Sequence, residues 1–390
     1  MNHTKLRTLM CLAPVALFGC GERPEEVVRP VGVHQQRLAA WAPTASPMSH
    51  ARYDHTATVL PNGKVLVVGG LGGSTLLASA ELYDPSTGAW TPAGSLQTVR
   101  YRHTATLLPD GKVLVAGGYA GGWTENSVEL YDPETNSWTQ KASMNESRAG
   151  HTATLLPDGK VLVVSGEVNT EPVYTFELYN PVTNTWKSSE ELCVVNSFPC
   201  ETPYFSQPRS GHTATLLPNG KVLIIGGGGL YEDVVSVELY DPETYAWTPL
   251  TNLTDERSSH TATLLPDGKV LVAGGYDASF KILASAELYD PTGNGTTTWL
   301  EHTLSEPRRG HTASLLANGK VLVVGGRAHT SVSNTADLYD PSTKTWSTTV
   351  PMTSGRVWHE ASVLPTGQVL VTGGYDSSGA ILSSAELYTP

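Results

Sequence analysis

Seven times along the chain, a short run of β-branched and apolar residues gives way to a tight turn and then to a second, almost wholly apolar run. The second occurrence shows the pattern. His103-Thr-Ala-Thr-Leu-Leu leads into Pro109-Asp110-Gly111, and Lys112-Val-Leu-Val-Ala-Gly-Gly follows. Asp-Gly between two such runs predicts a hairpin with positive φ at both central turn positions. The second run alternates with nothing polar, so the strand it predicts must be covered on both faces. A variable stretch then reaches Ser127-Val-Glu-Leu-Tyr-Asp132, a third strand stopped by Pro133, and Thr135-Asn-Ser-Trp138 opens a fourth. No segment of useful length after residue 37 carries a helical period.

The unit recurs with His55, His103, His151, His212, His260, His311 and His359 as its anchors, at spacings of 48, 48, 61, 48, 51 and 48 residues. Four strands repeated at a period near fifty predict an all-β, seven-bladed β-propeller. The termini predict how the ring closes. The seventh repeat stops at Pro390 without a Trp strand of its own. Trp41 lies fourteen residues before His55, close to the 12 or 13 separating Trp90, Trp138, Trp247, Trp299 and Trp346 from their next His. The strand around Trp41 should therefore complete the last blade. Arg sits three residues before each His, from Arg52 to Arg356, and an acidic residue sits two before each recurring Tyr, from Glu81 to Glu386. Their one-to-one match predicts ion pairs tying strands or blades. The order Arg, His, Gly-Gly, Tyr, Trp over residues 38–390 resembles the kelch repeat, with Ser165-Gly166 the one departure from the Gly pair. The resemblance implies that the histidine strands line the central channel.

Composition changes the picture mainly at the N-terminus. Lys5 and Arg7 precede an apolar stretch, Thr8–Phe18, too short to span a membrane comfortably. With Leu17-Phe18-Gly19-Cys20 it resembles a bacterial lipoprotein signal peptide, Phe18 being larger than usual at its position. The expected organisation is a signal peptide over 1–19, a flexible tether over 20–37 from a lipidated Cys20, and the propeller over 38–390 with an insertion at 187–207. The resemblance implies a cell-envelope site, outer-membrane in type, facing the periplasm or the surface. Loss of Lys5 and Arg7 would take the net charge from −12 to −14. Such a chain is a poor ligand for nucleic acid, and its membrane contact should come through the lipid alone. Cys193 and Cys200, the cysteines left after the signal and the anchor, are expected to form a disulfide in an oxidising compartment.

Chemistry is sparse. The seven histidines share the same neighbours, so hydrogen bonding within or between blades is their expected work, and neither a metal site nor a cofactor is expected. Galactose oxidase is a kelch-type enzyme whose copper needs a Tyr–Cys crosslink, and no blade strand here holds a Cys. No Ser-His-Asp elbow or phosphate loop is present. Residues that break the repeat carry the functional expectation. Those on the loops of one face, Tyr119, Trp123, Arg102, Tyr276, Arg327, Tyr375 and Trp358, form the candidate binding face. Trp123 and Trp358 fall outside the blade period and have no evident architectural duty. The expected function is non-catalytic binding or scaffolding of a protein or glycan at the envelope, by a monomer. The alternative is a carbohydrate-active enzyme, mutarotase-, epimerase- or lyase-like, using groups such as Asp54, Glu167, Asp277 and Arg327.

Overall fold

The computed structural model describes residues 39–194, 206–229, 234–301 and 303–390, with the backbone alone at Cys193 and Val194. Cys20, Cys200 and the Cys193 side chain, and with them the lipidation and disulfide expectations, lie outside the described residues. Leu38–Pro390 forms one compact unit.

That unit is a ring of seven four-stranded antiparallel sheets. Blade 1 runs Thr56–Val59, Val65–Val68, Ser79–Asp84, Ala89–Ser95 from the inside outward, and the next five repeat it. In blade 7, Ala40–Pro43 pairs with Ala385–Thr389, with Trp41 opposite Tyr388. The N-terminal strand thus closes the ring, and no linear array edge is left open.

The second strand of every blade is buried along its whole length. Alternation explains how. Leu66 and Val68 pack with Val113 and Val115 of blade 2, while Val65 and Val67 pack with Leu364 and Leu370 of blade 7. Each strand is therefore half of two inter-blade cores. Outside it, Tyr and Trp of the third and fourth strands pair in six blades, with ring centroids 4.9–5.1 Å apart.

Blade 5 departs from the expected Trp register. Thr297, not Trp299, faces Tyr289 across the strands, and Trp299 is 42% exposed. The turn Pro291-Thr-Gly-Asn-Gly295 carries one residue more than the four-residue turn of blade 2, and two further threonines intervene before the Trp. The insertion also begins later than expected. The fourth strand of blade 3 continues to Ser188, and a one-and-a-half-turn helix, Ser189–Val194, follows it.

The hairpin turns differ in type from the expectation. In blade 1, Gly63 N–H donates to Leu60 O and Leu60 N–H to Lys64 O, and only Gly63 has positive φ. This is a three-residue loop, a type I turn followed by a left-handed bulge residue. Pro61 presets the first turn position, and Asn62 Oδ1 accepts from Lys64 N–H at 3.1 Å.

The expected ion pairs are present in every blade. Arg100 has no exposed surface. Its Nη2 lies 2.9 Å from Glu129 Oε1, and its Nη1 donates to Gly117 O and Ser127 O. The other oxygen of Glu129 accepts from Gln97 N–H at 2.7 Å. The side chain ties the strands of its own blade. Its carbonyl ties the ring, accepting from Gly70 N–H of blade 1 at 2.8 Å.

Candidate functional site

Each histidine side chain is buried and spans to the blade before it. Nε2 of His103, His151, His212, His260, His311 and His359 lies 2.9–3.1 Å from the hydroxyl of Thr56, Thr104, Thr152, Thr213, Thr261 and Thr312 in turn. Burial, reinforced by the nearby Arg, pushes the imidazoles far below their ordinary range, to about 3 for His103, His260 and His359. They are neutral architectural pins, as their repetition suggested.

Blade 7 breaks this pattern. The threonine position holds Glu360, so His55 would lose its hydroxyl. His55 instead bonds Thr372 Oγ1 at 2.9 Å. Thr372 stands directly across the strands from Glu360, where the other blades carry Val68, Ala116, Val164, Ile225, Ala273 and Val324. The pin is preserved by moving the hydroxyl to the partner strand. Glu360 is thereby released from it and lines the channel.

The residue before each His forms a second ring at the channel mouth: Asp54, Arg102, Gly150, Gly211, Ser259, Gly310 and Trp358. All seven adopt left-handed φ, between 51° and 64°. Backbone bonds run from one to the next, with Arg102 N–H donating to Asp54 O, Gly150 N–H to Arg102 O, Trp358 N–H to Gly310 O and Asp54 N–H to Trp358 O. Glycine adopts this conformation freely, whereas a residue with a Cβ is held there at a cost of about 1 kcal/mol or more. Four blades accept that cost and place a carboxylate, a guanidinium, a hydroxyl and an indole around a cavity of about 360 Å³. Two glycines make room for them. A Cβ on Gly150 would meet Arg102 Nη2 at 2.7 Å, and one on Gly310 would meet the Trp358 ring at 3.0 Å.

The charges at the mouth are unevenly partnered. Arg102 Nη1 lies 2.5 Å from Glu167 Oε1. Tyr119, stacked on Tyr101 at 5.3 Å, is buried beside the same carboxylate, and burial followed by that charge pushes its hydroxyl up to about 12. Asp54 and Glu360 make no side-chain hydrogen bond or ion pair among the described residues. Both are half-buried and line the channel cavity. Burial raises Asp54 to about 6 against the opposing pull of Arg102, and burial with the Asp54 charge raises Glu360 to about 8.

The candidate face expected from the sequence therefore divides. Arg102 and Trp358 belong to the mouth. Tyr119 does not present itself as a contact, being 8% exposed and engaged with Glu167. Trp123, 67% exposed, sits on the outer hairpin of blade 2. Tyr276 stacks on Phe280 with Arg309 over its ring, Arg327 is exposed beside Arg309, and Tyr375 meets Tyr53 edge-on. Asp54 had a place only in the enzyme alternative, and Glu360 in none. The signal for Glu360 was in the sequence, as Glu in the His-Thr-Ala slot matched by Thr in an apolar one.

The model of the KLHDC2/KLHL20/DRC7 Kelch-repeats domain matches residues 34–227 and 211–388. No curated protein sequence matches the chain. Among solved structures, a fungal alcohol oxidase of the AA5 family in complex with copper superposes with a TM-score of 0.71. It is 21% identical, over 90% of this chain and 76% of that one, a likeness of fold. The residues here do not suit that metal. The channel histidines spend Nε2 on hydroxyls, no blade strand holds a cysteine, and the described residues gather no group of three His, Cys, Asp or Glu able to hold an ion.

Proposed function

The chain belongs to the kelch-repeat family, and we propose that it is a non-catalytic binding module that presents its channel mouth to a glycan or protein of the cell envelope. One observation carries the reading. A sevenfold ring that glycine would complete without strain instead holds Asp54, Arg102, Ser259 and Trp358 in left-handed backbone conformations around a cavity. Strain of this kind clusters where side chains must be aimed. Export and a lipid anchor at Cys20 belong to the same proposal, supported by Lys5, Arg7 and the run ending at Cys20. The test is an array of envelope glycans and peptides probed with the full chain and with Trp358→Ala. A specific ligand lost in the variant is expected. A ligand held equally by both proteins would move the site off the mouth.

A second reading, an enzyme acting on carbohydrate, is favoured by one feature. Asp54 and Glu360 are pushed to about 6 and about 8, so near neutrality one is a carboxylate and the other a carboxylic acid. Such a pair can take and give protons to a sugar. NMR exchange spectroscopy of free sugar anomers tests it: catalysed exchange absent from Glu360→Gln supports turnover, and none with wild type removes it.

A further inference from the structure

We propose that the channel mouth contains a subsite for an alkylammonium group, held between the carboxylates of Asp54 and Glu360 with the Trp358 indole in the adjoining wall. The inference rests on the binding-module reading and names the charge class that module takes.

Three features beyond the presence of two acids point to a ligand. The exchange between Glu360 and Thr372 keeps the inter-blade pin while freeing a carboxylate into the channel. Asp54 occupies a strained left-handed position where Gly150, Gly211 and Gly310 serve other blades without a side chain. Trp358, the one indole at the mouth among the described residues, lies in the same cavity. Structure alone calls for none of these three.

Electrostatics selects a cation. Arg102 and the Tyr53 phenol interact with Asp54, Asp54 interacts with Glu360, and the neutral imidazoles of His103 and His359 line the same cavity. Arg102 is committed to Glu167, so that pair adds no net charge. The blade arginines are buried and each is bound to its own acid. Asp54 is therefore ionised near neutrality and Glu360 above about pH 8, neither has an ion-pair partner among the described residues, and a bound cation supplies the counter-charge. Two carboxylates fall short of the six to eight oxygens of a calcium shell. A compact ammonium with three donors suits them, and an aromatic wall favours a cation and covers its methylene stem. The ammonium can belong to a lysine side chain of a protein partner or to a free amine.

The linkage is specific. A ligand that requires ionised Glu360 binds in proportion to the ionised fraction. With the group near about 8, that fraction rises from about 0.01 at pH 6 to about 0.9 at pH 9. Affinity should tighten about 100-fold over that range, most of it from Glu360. An alkylammonium keeps its own proton throughout.

Calorimetric titration of the full chain with n-butylammonium chloride at pH 6, 7.5 and 9 tests the proposal. Two variants accompany it, Glu360→Thr, which restores the residue of the other blades, and Asp54→Gly, which restores the unstrained one. Both fit the ring, and their melting temperatures check that they fold. The expected result is binding that tightens about 100-fold from pH 6 to 9 in wild type, is weaker by at least about tenfold at pH 9 in each variant, and in Glu360→Thr keeps only the roughly twofold rise that Asp54 contributes. No binding to wild type, or equal binding to all three proteins, would overturn the subsite. Titrations with a lysine-containing peptide and with putrescine then identify the source, since the tighter of the two marks a protein partner or a free amine. An array ligand lost in Trp358→Ala while butylammonium fails to bind would sink this inference and leave the mouth as a binding site. Butylammonium binding beside an array ligand indifferent to Trp358→Ala would do the reverse.

Discussion

Replacing Glu360 by Gln removes a titration and leaves the shape of the side chain nearly unchanged. The folded protein holds the Glu360 proton up to about pH 8, whereas the unfolded chain releases it near the ordinary value of 4.5. A raised acid binds more protons folded than unfolded, so its contribution to stability falls as pH rises across that interval. The destabilisation is about 1 kcal/mol at pH 5, about 3 kcal/mol at pH 7 and about 5 kcal/mol at pH 9. Glu360→Gln carries none of it. The variant should therefore match wild type to within about 1 kcal/mol at pH 5 and exceed it progressively above that. For a 353-residue unit, at about 2.1 cal/mol/K of unfolding entropy per residue, 1 kcal/mol shifts the melting temperature by about 1.4 °C. The gap between the two proteins should widen by about 5 °C from pH 5 to pH 9. Differential scanning calorimetry in a series of buffers reads this directly. The histidine and ion-pair contributions cancel because both proteins share them. A constant gap across the series would refute the burial of Glu360 in the channel wall and, with it, the asymmetry on which the mouth depends.

Other outcomes follow from the same structure. The seven histidines, neutral when folded, gain protons on unfolding below pH 6.5, so their contribution is complete above that pH and is lost as pH falls towards about 3; acid titration followed by circular dichroism should show cooperative unfolding with uptake of several protons, and a transition involving a single proton would contradict the pins. Glu129→Gln should cost about 3 kcal/mol in denaturant unfolding, because Arg100 stays buried with a neutral partner, whereas Asp132→Asn, which breaks the solvent-accessible pair with Lys112, should leave the unfolding midpoint nearly unchanged. Asp54→Gly should raise stability by about 1 kcal/mol, since it relieves left-handed strain, and a fall of that size would count against the strain argument. Mass spectrometry of the exported protein should find a lipidated N-terminal Cys20, and an unmodified N-terminus elsewhere would remove the anchor.

The architecture was legible because period-near-fifty repetition constrains every blade at once. Arg52 to Arg356, the seven histidines and the Tyr–Trp pairs announce their role by recurring. The sequence misled where it kept composition and changed length. Trp299 stands 12 residues before His311 and looks in phase, yet three added positions between Tyr289 and Trp299 turn it outward. The hairpin turns misled because Pro before Asn-Gly selects a type I turn, in which only the glycine needs positive φ. The site was half legible. Arg102 and Trp358 stood out as breaks in a loop position. Glu360 did not, because its meaning lies in Thr372, twelve residues away in sequence and directly opposite in the sheet. Tyr119 read as an exposed aromatic, since nothing local to it reveals that Glu167, in the next blade, takes its hydroxyl.

The most direct test of the mouth as the functional site compares the affinity of the best array ligand for Glu360→Thr, Trp358→Ala and Trp123→Ala. Two of these alter the cavity, and the third alters an exposed aromatic on the outer hairpin of the same face. The account predicts that both cavity variants lose at least about tenfold in affinity while Trp123→Ala binds as wild type does. Loss confined to Trp123→Ala would place recognition on the hairpins and contradict it.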